Sequence, residues 1–230
     1  MKPADATIAT AARLRPLLAA LHVASPALPV GGFAYSQGLE RAIDDGRVRD
    51  AASARRWIGD LLRLVLARTE APLWLRAFDA CRADDRTAFA RWNDELNALR
   101  ETAELRAESR QMGASLRRVL AGLDVAVPDC EPISWPAAFA LACAKLGLER
   151  EAGLVAYLWA WLENQVLVAV KSVPLGQQAG QNMLFDLHEA VAQAVAAATQ
   201  IADDEIGSAA VNFAITCARH ETQYSRLYRS

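Results

Sequence analysis

Histidine and cysteine, which bind transition metals and supply nucleophiles, are scarce and scattered in this sequence. The three histidines and four cysteines are His22, His188 and His220, and Cys81, Cys130, Cys143 and Cys217. No local segment has the Cys/His spacing of a metal site, so we expect no tightly bound metal or cofactor. So few cysteines also argue against a disulfide framework and favour a reducing, cytoplasmic compartment.

The sequence patterns of phosphate-binding and hydrolytic sites are absent. The chain has no G-x-x-x-x-G-K-[ST] segment, so no P-loop of its own would hold a nucleotide phosphate. Ser36 stands in A-Y-S-Q-G, which lacks the first glycine of a nucleophile elbow. A Cys–His pair distant in sequence stays open, although no local pattern supports one. We therefore predict no catalytic residues and a protein that is not an enzyme.

Four polar stretches are unusual for a plain helical bundle, and the first spans residues 24–40. Two prolines and two glycines, Pro26, Pro29, Gly31 and Gly32, come before its aromatic residues. This composition predicts a stiff turn that exposes Phe33 and Tyr35. The turn either connects two helices or presents a rigid binding loop, because loops on a scaffold often carry binding residues.

The second stretch, residues 91–116, alternates positive and negative side chains along a predicted helix. Arg100 and Glu104 are four residues apart, which is the spacing of a helical ion pair. Such pairs contribute only about 0.3–0.5 kcal/mol, so stability alone does not explain the pattern. The stretch is either a solvated helix face or an interface in which arginines bind the carboxylates of a partner.

The third stretch, residues 157–181, places polar side chains within the most apolar part of the chain. Three of them occupy successive positions of one predicted helix: Glu163, Asn164 and Gln165. Successive positions point in different directions, so at least one side chain faces the interior or a partner. Lys171 follows at the helix end, where a cation stabilises the helix dipole. Gln177 and Gln181 are candidates to line a hydrated passage or a polar interface.

The fourth stretch is the tail, residues 219–230, which has no periodic apolar face. Tyr224 and Tyr228 are four residues apart and are interleaved with Arg226 and Arg229. Tyrosine and arginine are residue types that dominate the binding energy of protein interfaces. The tail is therefore either a frayed terminus or a segment that becomes ordered on a partner.

Apolar residues recur at intervals of three and four along most of the chain, which predicts an all-α fold. The predicted helices, two of them with the N-caps Asp50 and Ser134, cover about residues 50–69, 71–81, 86–120, 134–146, 154–170, 180–199 and 203–218. Residues 123–133 are predicted to form a loop. Because no repeat or linker interrupts the chain, we predict one all-α domain over residues 1–230. It is a globular bundle of about eight or more helices with a flexible N-terminus, about residues 1–12.

Composition excludes several classes of protein and partner. Apolar residues make up 53% and charged residues 23%, which is typical of a globular chain. The net charge of −2 provides no basic surface for nucleic acid. The apolar run over residues 154–170 nearly reaches the length of a membrane span. Because Glu163 lies near its centre, we predict a buried helix of a soluble protein, with no membrane contact.

Four blocks of the sequence closely resemble the urease accessory protein F (UreF) family. They are SPALPVGGFAYSQGLE, WN…RETxELRxESxQMGxSL, YLWAWLENQV…AVK…PLGQQAGQ and HETQYSRLYRS. The resemblance implies an all-α, dimeric chaperone of nickel insertion rather than an enzyme. It also implies that the chain bridges the accessory protein UreD (also called UreH) and the GTPase UreG on apo-urease. Nickel and GTP would then be handled by the whole complex.

The resemblance further suggests roles for particular residues. Four tail residues are assigned to the UreD/UreH contact: Tyr224, Arg226, Tyr228 and Arg229. Tyr35, Glu40 and Lys171 are assigned to the GTPase contact, and Gln177 and Gln181 to the lining of a passage for the metal. Two other functions stay open. One is a factor that activates the GTPase through Lys171, because added cations stabilise phosphoryl transfer; the other is a metal-binding protein that acts alone.

Overall fold

The structure, a computed structural model, describes residues 3–208 and 210–230, with side chains at Thr10 and from Ala12 onward. The predicted flexible N-terminus, about residues 1–12, lies largely outside the described side chains and stays a prediction. The helices in the described residues are α1 Pro3–Ala24, α2 Leu39–Asp44, α3 Ala51–Leu61, α4 Ala71–Arg82, α5 Arg86–Ala98, α6 Ala103–Gly122, α7 Trp135–Lys145, α8 Arg150–Ser172, α9 Gln177–Asp186, α10 His188–Gln200 and α11 Val211–His220. A π-helix, Leu62–Glu70, joins α3 to α4, and short 3-10 turns lie at Gly32–Ala34 and Asp203–Glu205.

The all-α prediction is confirmed, and both predicted helix caps form. The Asp50 carboxylate accepts a hydrogen bond from the backbone N–H of Ser53 (2.8 Å) at the start of α3. The Ser134 hydroxyl accepts one from the backbone N–H of Ala137 (3.3 Å) at the start of α7. Both caps satisfy N–H groups that the first turn of a helix leaves without a partner.

The predicted helix over residues 86–120 is wrong, because the chain breaks between α5 and α6. Thr102 caps α6 by accepting a hydrogen bond from the backbone N–H of Leu105 (3.2 Å). The break carries Arg100 away from Glu104 and towards Glu70, whose carboxylate lies 2.5 Å from its guanidinium. The ion pair of this arginine is therefore a tertiary contact rather than a pair along one helix.

Further helix boundaries also differ from the predictions. The predicted helix over residues 180–199 consists of α9 and α10, which meet at Leu187. The last helix begins at Val211, whereas the 3-10 turn Asp203–Glu205 occupies the position at which we predicted its start. These boundaries depend on packing between elements that are far apart in sequence.

The core is centred on α7 and α8. Helix α7 is buried on nearly all sides and packs against α4 and α6. Aromatic rings join these helices, and the rings of Phe139 and Tyr157 meet edge to face with centroids 5.2 Å apart. Gly113 allows α6 to approach the start of α7, since a Cβ there would lie 2.2 Å from the Ile133 carbonyl oxygen.

Helix α8 is, among the described residues, the one helix long and apolar enough to cross a membrane, and most of it is buried within the protein. This burial agrees with the predicted core helix. Gln165 is fully buried, so one of the three successive polar residues does face the interior. Asn164 donates a hydrogen bond to the backbone carbonyl of Tyr35 (3.0 Å) and thereby ties α8 to the turn before α2.

Candidate partner-binding surface

The tail lies along the segment that precedes α2 and is held there by backbone hydrogen bonds. The N–H of Arg229 donates to the Ala34 carbonyl (2.9 Å), and the N–H of Ser36 donates to the Ser230 carbonyl (3.0 Å). The Ser36 hydroxyl also donates to the Ser230 carbonyl. The tail is thus ordered against its own chain. The alternatives of a frayed terminus and of a segment ordered only on a partner are both wrong.

Glu40, in the first turn of α2, is the main anchor of the tail. Its carboxylate accepts hydrogen bonds from the backbone N–H groups of Leu227 (2.6 Å) and Tyr228 (3.1 Å). The same carboxylate lies 3.0 Å from Nε2 of His220 at the end of α11. These contacts bury Glu40, so its carboxylate lies under the tail and holds it in place through hydrogen bonds.

His220 links Glu40 to α6. Its ring is fully buried, and Nδ1 lies 2.7 Å from a carboxylate oxygen of Glu104. The ring therefore lies between two carboxylates, one on each side. The other Glu104 oxygen accepts from the guanidinium of Arg226. Glu104 therefore connects the end of α11 with the tail residue Arg226.

A second buried carboxylate, Glu108, lies one helical turn further along α6. It accepts hydrogen bonds from the Ser230 hydroxyl (2.6 Å) and from Nε2 of Gln37 (2.6 Å). The Gln37 carbonyl oxygen accepts from the indole N–H of Trp161 (2.6 Å). Burial raises the pKa of Glu108 above its ordinary value.

The outer face of the tail is exposed. Tyr224 is fully exposed and Leu227 is 80% exposed, while Arg226 and Arg229 are also solvent-accessible. Inward-facing residues hold this surface in place and give it a fixed shape. A preordered surface of tyrosine, leucine and arginine is suited to bind another protein, because little conformational entropy is lost on binding.

The structure corrects the predicted exposure of Tyr35 and buries two further candidate residues. Tyr35 is buried and its hydroxyl donates to the side chain of Gln111 (2.7 Å), whereas Phe33 is 71% exposed, as predicted. Burial, and to a smaller extent Glu108, raises the pKa of Tyr35. Glu40 and Tyr228 are buried as well, because the tail covers the first and turns the second inward. We therefore regard these three as residues that position the surface.

The other predicted residues lie outside the tail contacts described above. Lys171 is exposed at the end of α8, and Gln177 and Gln181 are exposed on α9. Their assignments to a GTPase contact and to a metal passage stay predictions. In the described part of the chain, no three His, Cys, Asp or Glu residues come together as metal ligands.

Sequence reasoning assigns no role in this surface to Ser36, Gln37, Glu108 and His220, and it pairs Glu104 with Arg100 instead. One signal was present, since Glu104 and Glu108 are four apart and therefore lie on the same face of α6. Their partners on α11 and the tail are more than 110 residues away, so no local pattern predicts the contacts.

The fold and the ordered tail define an all-α protein with an exposed surface suited to binding another protein. A sequence model of the UreF family matches residues 48–188, and the chain belongs to this family of urease accessory proteins. It is 49% identical to the urease accessory protein UreF of Cupriavidus necator over 228 residues, which cover 95% of this chain and 99% of that protein. It is 50% identical to the UreF of Azoarcus sp. over 226 residues, 94% of this chain and 97% of that protein.

A third relative is longer. The bifunctional urease accessory protein UreEF of Bordetella bronchiseptica is 48% identical over an alignment of 244 positions, which covers 99% of this chain and 56% of that protein. The relative therefore carries a second unit beside the part that is similar to this chain.

Proposed function

We propose that this chain is an adaptor in urease maturation, which bridges a UreD/UreH-type protein and a UreG-type GTPase on apo-urease. Its task is to support GTP-dependent insertion of nickel in the cytoplasm. The nucleotide chemistry belongs to the GTPase, since this sequence contains no P-loop. Nickel is the cargo of the complex.

The observation that supports this proposal most strongly is the tail surface. Its anchors, Glu40 and Glu108, are buried carboxylates, and burying an ionisable group is costly unless it is hydrogen-bonded. They hold a short segment whose outward side chains, Tyr224 and Leu227, make few contacts with their own chain. We therefore attribute these exposed side chains to the binding of a partner rather than to the stability of the fold.

Within this proposal, the residues divide into two roles. Tyr224, Leu227 and Arg229 contact the UreD/UreH-type protein, and Arg226 contributes while bound to Glu104. Tyr228 supports them from the buried side.

For the contact with the GTPase, Lys171 is the exposed candidate. Tyr35 and Glu40 act indirectly by shaping the turn that presents Phe33. Gln177 and Gln181 line a passage only where a partner covers α9, since both are exposed in this chain.

The proposal is tested by co-purification of the tagged chain with a UreD/UreH-type protein and a UreG-type GTPase, singly and together. We expect a stable complex with the first, and recruitment of the GTPase to it. Deletion of residues 219–230 is expected to abolish binding of the UreD/UreH-type protein while the helical circular dichroism persists. Absence of binding to either protein at micromolar concentration would overturn the adaptor function.

We also propose that the chain forms a homodimer, and the surface around Phe185 is the first to test. Phe185 is 72% exposed at the end of α9, and its ring lies 5.3 Å from that of His188. Sedimentation should show a dimer for the wild-type chain and a monomer for Phe185→Asp. Leu64→Asp, on the exposed side of the π-helix, is the control and should stay dimeric. A monomeric wild-type chain would refute the dimer.

The name of the longer relative, UreEF, suggests a further partner for this chain. Because one relative is named UreEF, we propose that this chain works beside a UreE-type protein during nickel delivery. Adding such a protein to the adaptor complex should increase the rate of urease activation. An unchanged rate at saturating concentrations would contradict this part of the proposal.

A further inference from the structure

An apolar recess opens between the end of α1, the turn that carries Phe33, and α8. Its volume is about 90 Å³, which is room for roughly seven water-sized groups. The wall is mainly apolar and includes Val23, Leu28, Val30, Ala160 and Leu167. An apolar recess with a few polar groups in its wall is the usual form of a binding site.

Two carboxylates are the charged groups in the part of this lining that the structure describes. Glu108 is already satisfied, since it accepts hydrogen bonds from Gln37 and Ser230. Glu163 forms neither an ion pair nor a hydrogen bond within the described residues, and burial raises its pKa. Lys171 lies eight residues further along the same helix, or about 12 Å, which is too far for an ion pair. The recess therefore presents a carboxylate without a counter-charge.

The acceptors at this place suit an ammonium group. Asn164 also lines the recess; its amide N–H binds the Tyr35 carbonyl, while its side-chain oxygen accepts no hydrogen bond from the described residues. This oxygen and the two carboxylate oxygens of Glu163 match the three N–H groups of a lysine and are too few for the five of an arginine. A lysine side chain adds only four methylene groups, which fit the volume and cover the apolar wall.

We propose that this recess binds a lysine side chain of the UreG-type GTPase, with its ammonium group on the Glu163 carboxylate and the Asn164 side-chain oxygen. The inference rests on the proposed adaptor function, because the lysine belongs to that partner. Charge complementarity favours a cation and disfavours an acidic side chain. Position favours the GTPase among the partners. Phe33, on the turn assigned to the GTPase contact, lines the recess, and Lys171 follows Leu167 by one turn on the same face of α8.

The first test measures the affinity of the GTPase for the complex of this chain with the UreD/UreH-type protein. We expect Glu163→Gln to weaken this affinity roughly tenfold, as loss of a partly desolvated charge pair does. The melting temperature of the free chain should not fall, because the carboxylate makes no contact there that the amide would lose. The matched control is Glu149→Gln, an exposed glutamate at the start of α8, about 21 Å away along the helix. Wild-type affinity in both variants would overturn the proposal.

Filling the recess tests its shape independently of its charge. Ala160 is partly exposed and lines the recess, so Ala160→Leu should occupy the space that the lysine needs. We expect weaker recruitment of the GTPase with unchanged helical circular dichroism. Val155→Leu, at an exposed position of the same helix, is the control and should recruit like the wild type. Recruitment by Ala160→Leu at wild-type affinity would show that no side chain enters the recess.

The third test identifies the lysine itself. A carbodiimide joins a carboxylate to an amine and takes up the water that is lost, so it should link Glu163 to one lysine of the bound GTPase. Mass spectrometry should then find a single GTPase peptide attached to the Glu163 peptide. Replacing that lysine by glutamate should weaken recruitment, and Glu163→Lys in this chain should restore it. A complete complex without this cross-link refutes the recess alone, whereas failure of the wild-type chain to bind either protein refutes the adaptor function.

Discussion

Glu40 and His220 are separated by 180 residues in sequence, yet a carboxylate oxygen of the first lies 3.0 Å from the ring nitrogen of the second. The contact joins α2 to the end of α11. It also places the carboxylate where it accepts two N–H groups of the tail. One buried pair thus determines the path of the chain that follows α11.

Replacing Glu40 by alanine should release the tail. The change removes two hydrogen bonds to the Leu227 and Tyr228 amides and one to His220; hydrogen bonds to charged groups contribute about 1.5–3 kcal/mol each. We expect faster tryptic cleavage after Arg226 and Arg229 and faster hydrogen exchange at both amides, with the helical circular dichroism retained. Glu95→Ala is the control. Wild-type cleavage rates in Glu40→Ala would show that the anchor lies elsewhere.

The buried Glu108 should make stability depend on pH. Its pKa is raised in the folded chain, so its contribution to stability is greatest below the pKa of the unfolded chain and is lost as pH rises through the folded value. In Glu108→Gln the amide still accepts from Gln37 and donates to the Ser230 hydroxyl. The melting temperature of the variant should therefore rise relative to that of the wild type as the pH increases above the ordinary pKa of a glutamate. A difference that stays constant with pH would contradict this assignment.

Gly38 should be intolerant of a side chain for two separate reasons. Its φ of +76° disfavours other residues, and a Cβ would lie 2.9 Å from the sulfur of Cys217 on α11. Gly46 has a φ of +71° with no atom within 4 Å of a Cβ, so it isolates the backbone effect. In chemical denaturation we expect about 1 kcal/mol of destabilisation for Gly46→Ala and about 2–3 kcal/mol for Gly38→Ala. Equal losses would exclude the contact with Cys217.

Alanine substitutions of the two tail tyrosines should affect partner binding and the stability of the fold differently. Tyr224→Ala changes a fully exposed ring, so it should leave the melting temperature unchanged and weaken the UreD/UreH-type complex at least tenfold. Tyr228→Ala removes a buried ring and should lower the free energy of unfolding by about 2–4 kcal/mol as well. Calorimetric binding and thermal melts of both variants test this division. It fails if both have the same melting temperature.

The sequence predicts best those features that depend on neighbouring residues. The caps at Asp50 and Ser134 need a side chain three residues from an N–H group, and both form as predicted. The apolar run over residues 154–170 likewise predicts a buried helix correctly, because a helix that is apolar on nearly all sides must be covered by its neighbours.

Features that depend on distant contacts were missed. The break before Thr102 is stabilised by the ion pair between Arg100 and Glu70, thirty positions earlier in sequence. Because that partner is so distant, the local pattern of charges predicts one continuous helix. The order of the tail depends on Glu40 and Glu108, which no periodicity within residues 219–230 reveals. Membership of the UreF family, in contrast, was predicted from long motifs and is confirmed.

The hydrogen bonds between Ser36 and Ser230 also bear on when, during synthesis, the tail surface can form. The two residues are 194 positions apart, so the segment around Ser36 is synthesised long before the residue that covers it. A nascent chain therefore cannot display the Tyr224 surface in its final form. A chain that stops short of this segment lacks the hydrogen bonds that hold the surface in place.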